Sequence, residues 1–290
     1  MPSPSTITQN TAARLLWFAA LGAAAPAQIV TENAGVASPE LPALREAFSI
    51  RETRNVEELR IDSQLIWSFS PWFESRTTLP FVRRNFAGGT ETEGLGDLAV
   101  RLKHSLWQED DVLESTRLAS LYELSLPTGE DDGRDPSGTL LPPKLQLGAG
   151  TLGLGAGGAF TVIRDRHRFS LEGFYRHTLN HEGLSYGDTV RGNLAYWYRL
   201  SPAVFREGPE RDPLEVRGVL ELLSTYRFES HAARGLGDEG TEVWLAPGLQ
   251  LFGRGRFLFE ASFQIPIYQD VDDGFGRREW GATVSIKWLF

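Results

Sequence analysis

The chain has 290 residues, 41% of them hydrophobic, no cysteine and a formal net charge of -9. Without cysteine there is no disulfide, no thiolate metal site, no cysteine nucleophile and no lipid-modified N-terminal cysteine. A net negative chain gives no reason to expect a nucleic-acid partner.

Arg14 is the only charged residue among the first 27, and it precedes the apolar run 15–21. Ala25-Pro26-Ala27 then supplies a small-x-small cleavage site. This order predicts an export signal over 1–27, too short to stay as a membrane anchor. The mature chain would start at Gln28 and hold 290 − 27 = 263 residues. Residues 28–44 read as a Pro/Ala-containing linker that either enters the following domain as a small plug or stays outside it unordered. No later stretch offers about 20 consecutive apolar residues, so no helical membrane span is expected.

From Leu59 onward the hydrophobic period is two, the signature of strands. Leu59, Ile61, Leu65, Trp67 and Phe69 alternate with Arg60, Asp62 and Gln64. Phe73, Leu79 and Phe81 face away from Glu74 and Arg76, and Leu98, Val100, Leu102 and Leu106 away from Asp97, Arg101 and Lys103. Leu118, Tyr122 and Leu124 oppose Arg117 and Glu123. Leu154, Phe160 and Val162 mark a glycine-rich strand, followed by Phe169, Leu171 and Tyr175 against Arg168, Glu172 and Arg176. Val190, Leu194 and Tyr198 oppose Arg191 and Arg199; Leu214, Leu220 and Leu222 oppose Glu215, Arg217 and Glu221. Strands over 243–251, 257–267 and 280–290 repeat the pattern, the last ending at Phe290. Phe48 and Ile50 in 45–54 supply a twelfth strand, placed first, because single-chain bacterial barrels have even strand numbers.

The connections alternate between long and short. Residues 84–94, 129–143, 180–187, 229–240 and 270–278 read as loops at one end, and 70–71, 164–167 and 253–255 as turns at the other, with 202–213 a long exception. Long outer loops and short inner turns are the habit of transmembrane barrels, as is a girdle such as Trp67, Trp107, Tyr122, Tyr198, Trp280 and Trp288. The expected fold is therefore all-β, a transmembrane antiparallel up-and-down β-barrel of about 12 strands over 45–290. Its place would be the outer membrane of a Gram-negative bacterium, with membrane lipid and lipopolysaccharide around it and Phe290 as the signal read by the barrel assembly machinery. The competing fold, a secreted soluble sandwich or barrel, would hide the apolar face inside.

If the apolar face meets lipid, the other face lines the interior. Twelve inward cations and nine inward anions give 12 − 9 = +3, against -10 for the chain without Arg14. The candidate lumen-lining residues are Arg60, Asp62, Glu74, Arg76, Arg101, Arg117, Glu123, Glu172, Arg176, Arg191, Arg217 and Glu221. They either pair and plug the lumen or line a wet, selective path.

Other motifs carry less. Gly148-Ala149-Gly150-Thr151-Leu152-Gly153 fits G-x-G-x-x-G but leads into a strand rather than a helix, so it reads as a bent strand allowing close approach. His177 and His181 on one strand would lie about 13 Å apart, too far to share a metal. Asp131-Asp132-Gly133 and Asp270 to Gly274 lack the spaced ligands of a calcium loop. No strand places a serine next to a histidine on one face, leaving only a cross-strand pair for a hydrolase. No catalytic residue, metal or cofactor is expected, and the chain is not read as an enzyme.

Gly94-Leu95-Gly96-Asp97-Leu98, then Leu126-Pro127-Thr128-Gly129, then Leu147-Gly148-Ala149-Gly150 and an aromatic last strand resemble, in this order, the outer-membrane family named for the meta pathway of phenol degradation. The resemblance covers most of 55–290 and implies a transporter, with no catalytic residue to carry over. Thr128-Gly129 itself reads as turn chemistry. Three functions follow as expectations: passive uptake of small hydrophobic or aromatic compounds, a structural or adhesive barrel closed by ion pairs such as Arg176 with Glu172, and a barrel hydrolase.

Overall fold

The computed structural model describes residues 30–37, 42–53, 56–86, 89, 91–111, 113–134, 146–180, 187–203, 214–230, 239–253, 256–271 and 277–290. The expected export signal lies outside them. Thirteen strand segments follow one another: β1 (Ala43–Thr53), β2 (Val56–Ser70), β3 (Phe73–Phe86), β4 (Glu91–Leu95), β5 (Leu98–Asp110), β6 (Glu114–Leu126) and β7 (Gly153–Arg164). Then come β8 (His167–Thr178), β9 (Thr189–Ser201), β10 (Leu214–Arg227), β11 (Gly240–Gly253), β12 (Phe257–Val271) and β13 (Arg278–Leu289).

Each segment pairs antiparallel with its neighbour, and the ring closes where Ala43 of β1 faces Leu289 of β13. β4 and β5 are one spanning strand, because both pair with β3, through Phe81–Leu95 and Thr78–Ala99. The break falls at Gly96-Asp97 beside Pro80, which has no N–H to give a neighbour and instead accepts the Gly96 N–H at 2.8 Å. The barrel is therefore twelve-stranded, as the sequence predicts.

Closure removes every sheet edge and satisfies the backbone within the ring, which is what a hydrocarbon environment demands. The two faces confirm the environment. Leu65, Phe69, Leu171, Leu194 and Ile267 stand exposed outside, while Glu74, Lys103, Glu172, Glu221, Glu260 and Lys287 are buried inside. A water-soluble barrel would invert this arrangement. Aromatic rings gather at both ends of the belt, Trp67, Phe69, Trp72, Trp107 and Trp288 near the short turns and Tyr122, Tyr175 and Tyr268 toward the loops.

Some boundaries differ from the sequence reading. Residues 84–94 are mostly strand rather than loop: β3 runs to Phe86 and β4 returns from Glu91, with Arg83 Nε 2.5 Å from Glu91. At about 3.3 Å per residue, strands of this length outrun an apolar band about 25 Å tall, so their loop ends stand above it and carry polar residues. The turn Asp165-Arg166 is two residues, with Asp165 at φ 51°, a left-handed conformation that Asp tolerates.

Candidate functional site: a chain segment across the lumen

Residues 30–37 lie inside the barrel. Thr31, Glu32 and Asn33 are fully buried. The segment starts at the β10 wall, where Glu221 Oε1 accepts the N–H groups of Val30 (3.2 Å) and Thr31 (2.7 Å). Glu172 of β8 accepts the Glu32 N–H at 2.8 Å, and Thr161 of β7 accepts that of Ala34 at 3.0 Å. Glu74 of β3 accepts the Ala37 N–H at 2.8 Å. In the strand order β10 and β3 stand on opposite sides of the ring, so eight residues cross the whole lumen.

The wall meets the segment in two ways. Three carboxylates, Glu221, Glu172 and Glu74, take its backbone donors, which an extended segment cannot satisfy alone. Three cations take its one acid. Lys103 Nζ lies 2.6 Å from Glu32 Oε1, and Arg76 Nη1 and Arg101 Nη1 lie 2.9 and 3.3 Å from Glu32 Oε2. Glu32 belongs to the segment, outside the spanning strands. Burial alone would raise its carboxyl, but Arg76, Lys103 and Arg101 hold it well below the usual range. Small side chains complete the fit: Ala34 packs with Ala119, Leu121, Ala159 and Phe174, and Val30 against Ala195, Trp197 and Val219.

The predicted lumen residues sort as follows. Arg76 and Glu74 belong to this cage, Glu172 and Glu221 hold backbone donors, and Arg101 also pairs Glu123 at 2.6 Å. Arg60 pairs Asp62 (2.8 Å), Arg117 pairs Asp110 (3.1 Å) and Arg217 pairs Glu215 (2.6 Å). The expected Arg176–Glu172 pair does not form: Glu172 accepts from Glu32 and Asn193 instead. Four residues along one strand lie about 13 Å apart, too far for an ion pair. Toward the short-turn end Arg45 joins Glu260 (3.3 Å), Ser285 (3.2 Å) and Gln64 (3.2 Å), tying β1, β2, β12 and β13 together.

The glycine-rich strand β7 allows the close approach expected of it, to an aromatic ring. A Cβ at Gly155 would sit 2.5 Å from the Phe174 ring, and one at Gly157 2.6 Å from it. That ring lies in the lumen with Arg101 and Arg191 over its faces at 4.9 and 4.8 Å. The G-x-G-x-x-G stretch is not strand at its start, since β7 begins at Gly153.

The three short motifs of the family resemblance meet in space at the loop rim. Asp97 Oδ1 accepts the Gly129 N–H at 3.0 Å and its Oδ2 the Ala149 N–H at 2.8 Å. Thr128 Oγ1 accepts the Leu98 N–H at 2.8 Å and donates to Gly96 O at 3.3 Å. A Cβ on Gly148 would fall 2.4 Å from Gly129 O, and one on Gly129 2.8 Å from Gly148 Cα. Two corrections follow. Thr128-Gly129 is an inter-strand fastening, not turn chemistry alone, and Asp97 ties down loop backbone instead of lining a free path.

Among the described residues no cluster of His, Cys, Asp and Glu could hold a metal. His104 stands opposite Ser120 across β5 and β6, but its ring stacks on Phe73 at 4.3 Å. His177 bonds Asp188 at 2.6 Å; His181 lies outside the described residues, as do residues 272–276 of the acidic loop.

A closed twelve-stranded barrel with an apolar exterior and a charged, chain-filled lumen is a transmembrane β-barrel of the Gram-negative outer membrane. No protein-family model matches the chain, and no curated protein does. Solved outer-membrane barrels resemble it in architecture. The NanC porin has 10% identity and a TM-score of 0.47, over 84% of this chain and 98% of that one. The β domain of the Bordetella autotransporter BrkA has 14% and 0.45, over 86% and 99%. The KdgM porin has 9% and 0.42, over 86% and 99%.

Proposed function

We propose that this chain is a passive outer-membrane channel for small organic compounds, held shut by its own N-terminal segment. The observation that carries the reading is the mode of attachment. Residues 30–37 cross the lumen on hydrogen bonds to four wall side chains and one caged carboxylate, and their apolar contacts come from small side chains such as Val30 and Ala34. Such a seat is specific yet releasable. The wall arginines and carboxylates named above set selectivity once the segment leaves. The cargo is small and hydrophobic or aromatic, as the resemblance to the phenol meta-pathway family implies. The N-terminal 27 residues direct export, Phe290 is read by the barrel assembly machinery, and lipopolysaccharide surrounds the loop end.

Single-channel recording in planar bilayers tests the reading. The intact chain is expected to be closed most of the time, and Glu32→Gln to conduct. Silence from both overturns the channel. It favours the second reading, a structural or adhesive barrel, which the buried Arg45–Glu260–Gln64 network across the closing seam supports.

A further inference from the structure

Arg168 of β8 has a buried Nε with no hydrogen-bond partner and no carboxylate within ion-pair distance among the described residues. The charges that act on it are Arg217, Arg117 and Glu215. Glu215 is engaged by Arg217 at 2.6 Å, and Arg117 holds Asp110. The guanidinium is left over, and it lies on the Trp197 ring at 5.3 Å. The indole Nε1 of Trp197 is likewise buried without an acceptor. Two adjacent donors in a lumen thus await the same kind of group.

Guanidinium groups also cover a ring on the loop side. Arg191, directly across from Phe174, covers its ring, and neither Arg191 nor Arg176 forms an ion pair among the described residues. Of the carboxylates near them, Glu123 is engaged by Arg101, and Glu172 spends Oε2 on Glu32 and Asn193 and keeps Oε1 without a hydrogen-bond partner. The two rings of the β8–β9 wall stand above and below the point where Glu172 grips the segment, but Phe174 carries Arg101 as well, at 4.9 Å, and only Trp197 has a single guanidinium on it. Six residues of strand, about 20 Å, separate the two. The segment covers both rings, with Val30 packed on the cluster of Trp197 and Ala34 on that of Phe174.

Resting on the channel reading, we propose that the guanidinium–aromatic station of Arg168 and Trp197 binds aromatic carboxylates, and that departure of the segment uncovers it. A guanidinium laid on a ring presents its edge as a two-pronged donor to a flat anion. The uncovered ring beside it offers a stacking face to the rest of an aromatic acid. A neutral phenyl compound gains only the second contact, and phosphate only the first.

The test is calorimetric titration of the full chain in detergent micelles with benzoate, benzyl alcohol and inorganic phosphate. Benzoate is expected to bind the Glu32→Gln variant saturably, at least tenfold tighter than the wild type, whose rings are covered. Arg168→Gln added to that variant should weaken it tenfold or more. Trp197→Phe, which keeps a ring and removes the N–H, should weaken it severalfold and guards against a folding failure of the arginine variant. Benzyl alcohol or phosphate binding as tightly as benzoate overturns the proposal, as does benzoate binding indifferent to Arg168 or no saturable binding. None of these readouts requires current, so a silent channel and an absent site remain separate results.

Discussion

Lys103 Nζ lies 2.6 Å from Glu32 Oε1, and both side chains are sealed from solvent. The same ammonium also donates to Gly35 O at 3.0 Å and to Glu74 Oε1 at 3.3 Å, so one lysine joins the wall to both the side chain and the backbone of the segment. A compact ammonium with three rotatable donors suits this task better than a planar guanidinium.

Neutralising Glu32 takes the shared counter-charge from Lys103, Arg76 and Arg101. Breaking a buried pair from one side costs about 3–5 kcal/mol. Lys103 and Arg76 keep Glu74 as a neighbour, so the lower end applies, roughly a hundredfold in the ratio of seated to released segment. Glu32→Gln should raise the open fraction in single-channel records by about that factor. The barrel's heat-modifiable shift on electrophoresis should not move, because no strand pairing is touched.

A covalent tether should do the reverse. The chain has no cysteine, so two introduced thiols have no competitors. Ala34 N lies 3.0 Å from Thr161 Oγ1, which places residues 34 and 161 within reach of a short thiol-to-thiol cross-linker. The double variant Ala34→Cys, Thr161→Cys should cross-link in high yield and lose the openings that the Glu32→Gln background otherwise shows. Failure to cross-link in intact membranes would contradict the position of the segment.

Acid should release the segment late. Burial raises the Glu32 carboxyl, and Arg76, Lys103 and Arg101 more than offset it, so its value in the seated state lies well below the released one. A depressed carboxyl stabilises seating fully above the released value, about 4.3, and loses that contribution as pH falls through the seated value. The Glu32 contribution to closure is therefore expected to hold down to about pH 5 and to fade only below about 4, giving a low-pH rise in conductance that Glu32→Gln should lack. A rise centred near pH 6 would point to a different group.

At the rim, Asp97→Ala removes the acceptor for the N–H groups of Gly129 and Ala149. Both donors are partly buried, so leaving them unmet costs about 1 kcal/mol, the low end for an unsatisfied donor. The loop after β6 should become susceptible to limited proteolysis while the barrel itself stays resistant. Gly148→Ala should produce the same cleavage, since its Cβ would meet the Gly129 carbonyl at 2.4 Å and backbone cannot yield cheaply.

The strands were legible because lipid selects every second residue. Leu65, Trp67 and Phe69 had to alternate with Gln64, Ile66 and Ser68, whatever partners the inner set found. Ile66 already shows where the rule loosens, being apolar yet turned inward against Ala43 and Leu289. Legibility ended where the strands leave the belt. Glu91, Thr92 and Glu93 form a strand by pairing with Arg84 and its neighbours, not by apolar alternation. Parity also says which face a charge takes but not which charge it meets. Arg176 and Glu172 share a face and do not touch, while Glu172 serves a residue 140 positions away. The role of Glu32 was the least visible, since its partners come from β3 and β5, 44 or more positions away, and nothing in the pattern around Glu32 points to them.

Closure also sets an order of events. The segment precedes β1, and β1 meets β13 only when the last strand has been made. Arg76, Arg101 and Lys103 share a face through the pairing of β3 with β5, and Glu74 and Glu123 on the same wall already offset their charge. The ring can therefore close without Glu32, and what closure decides is which side of the seam the segment is on. A segment inside when the seam shuts is sealed in like a cork fitted before the neck is made.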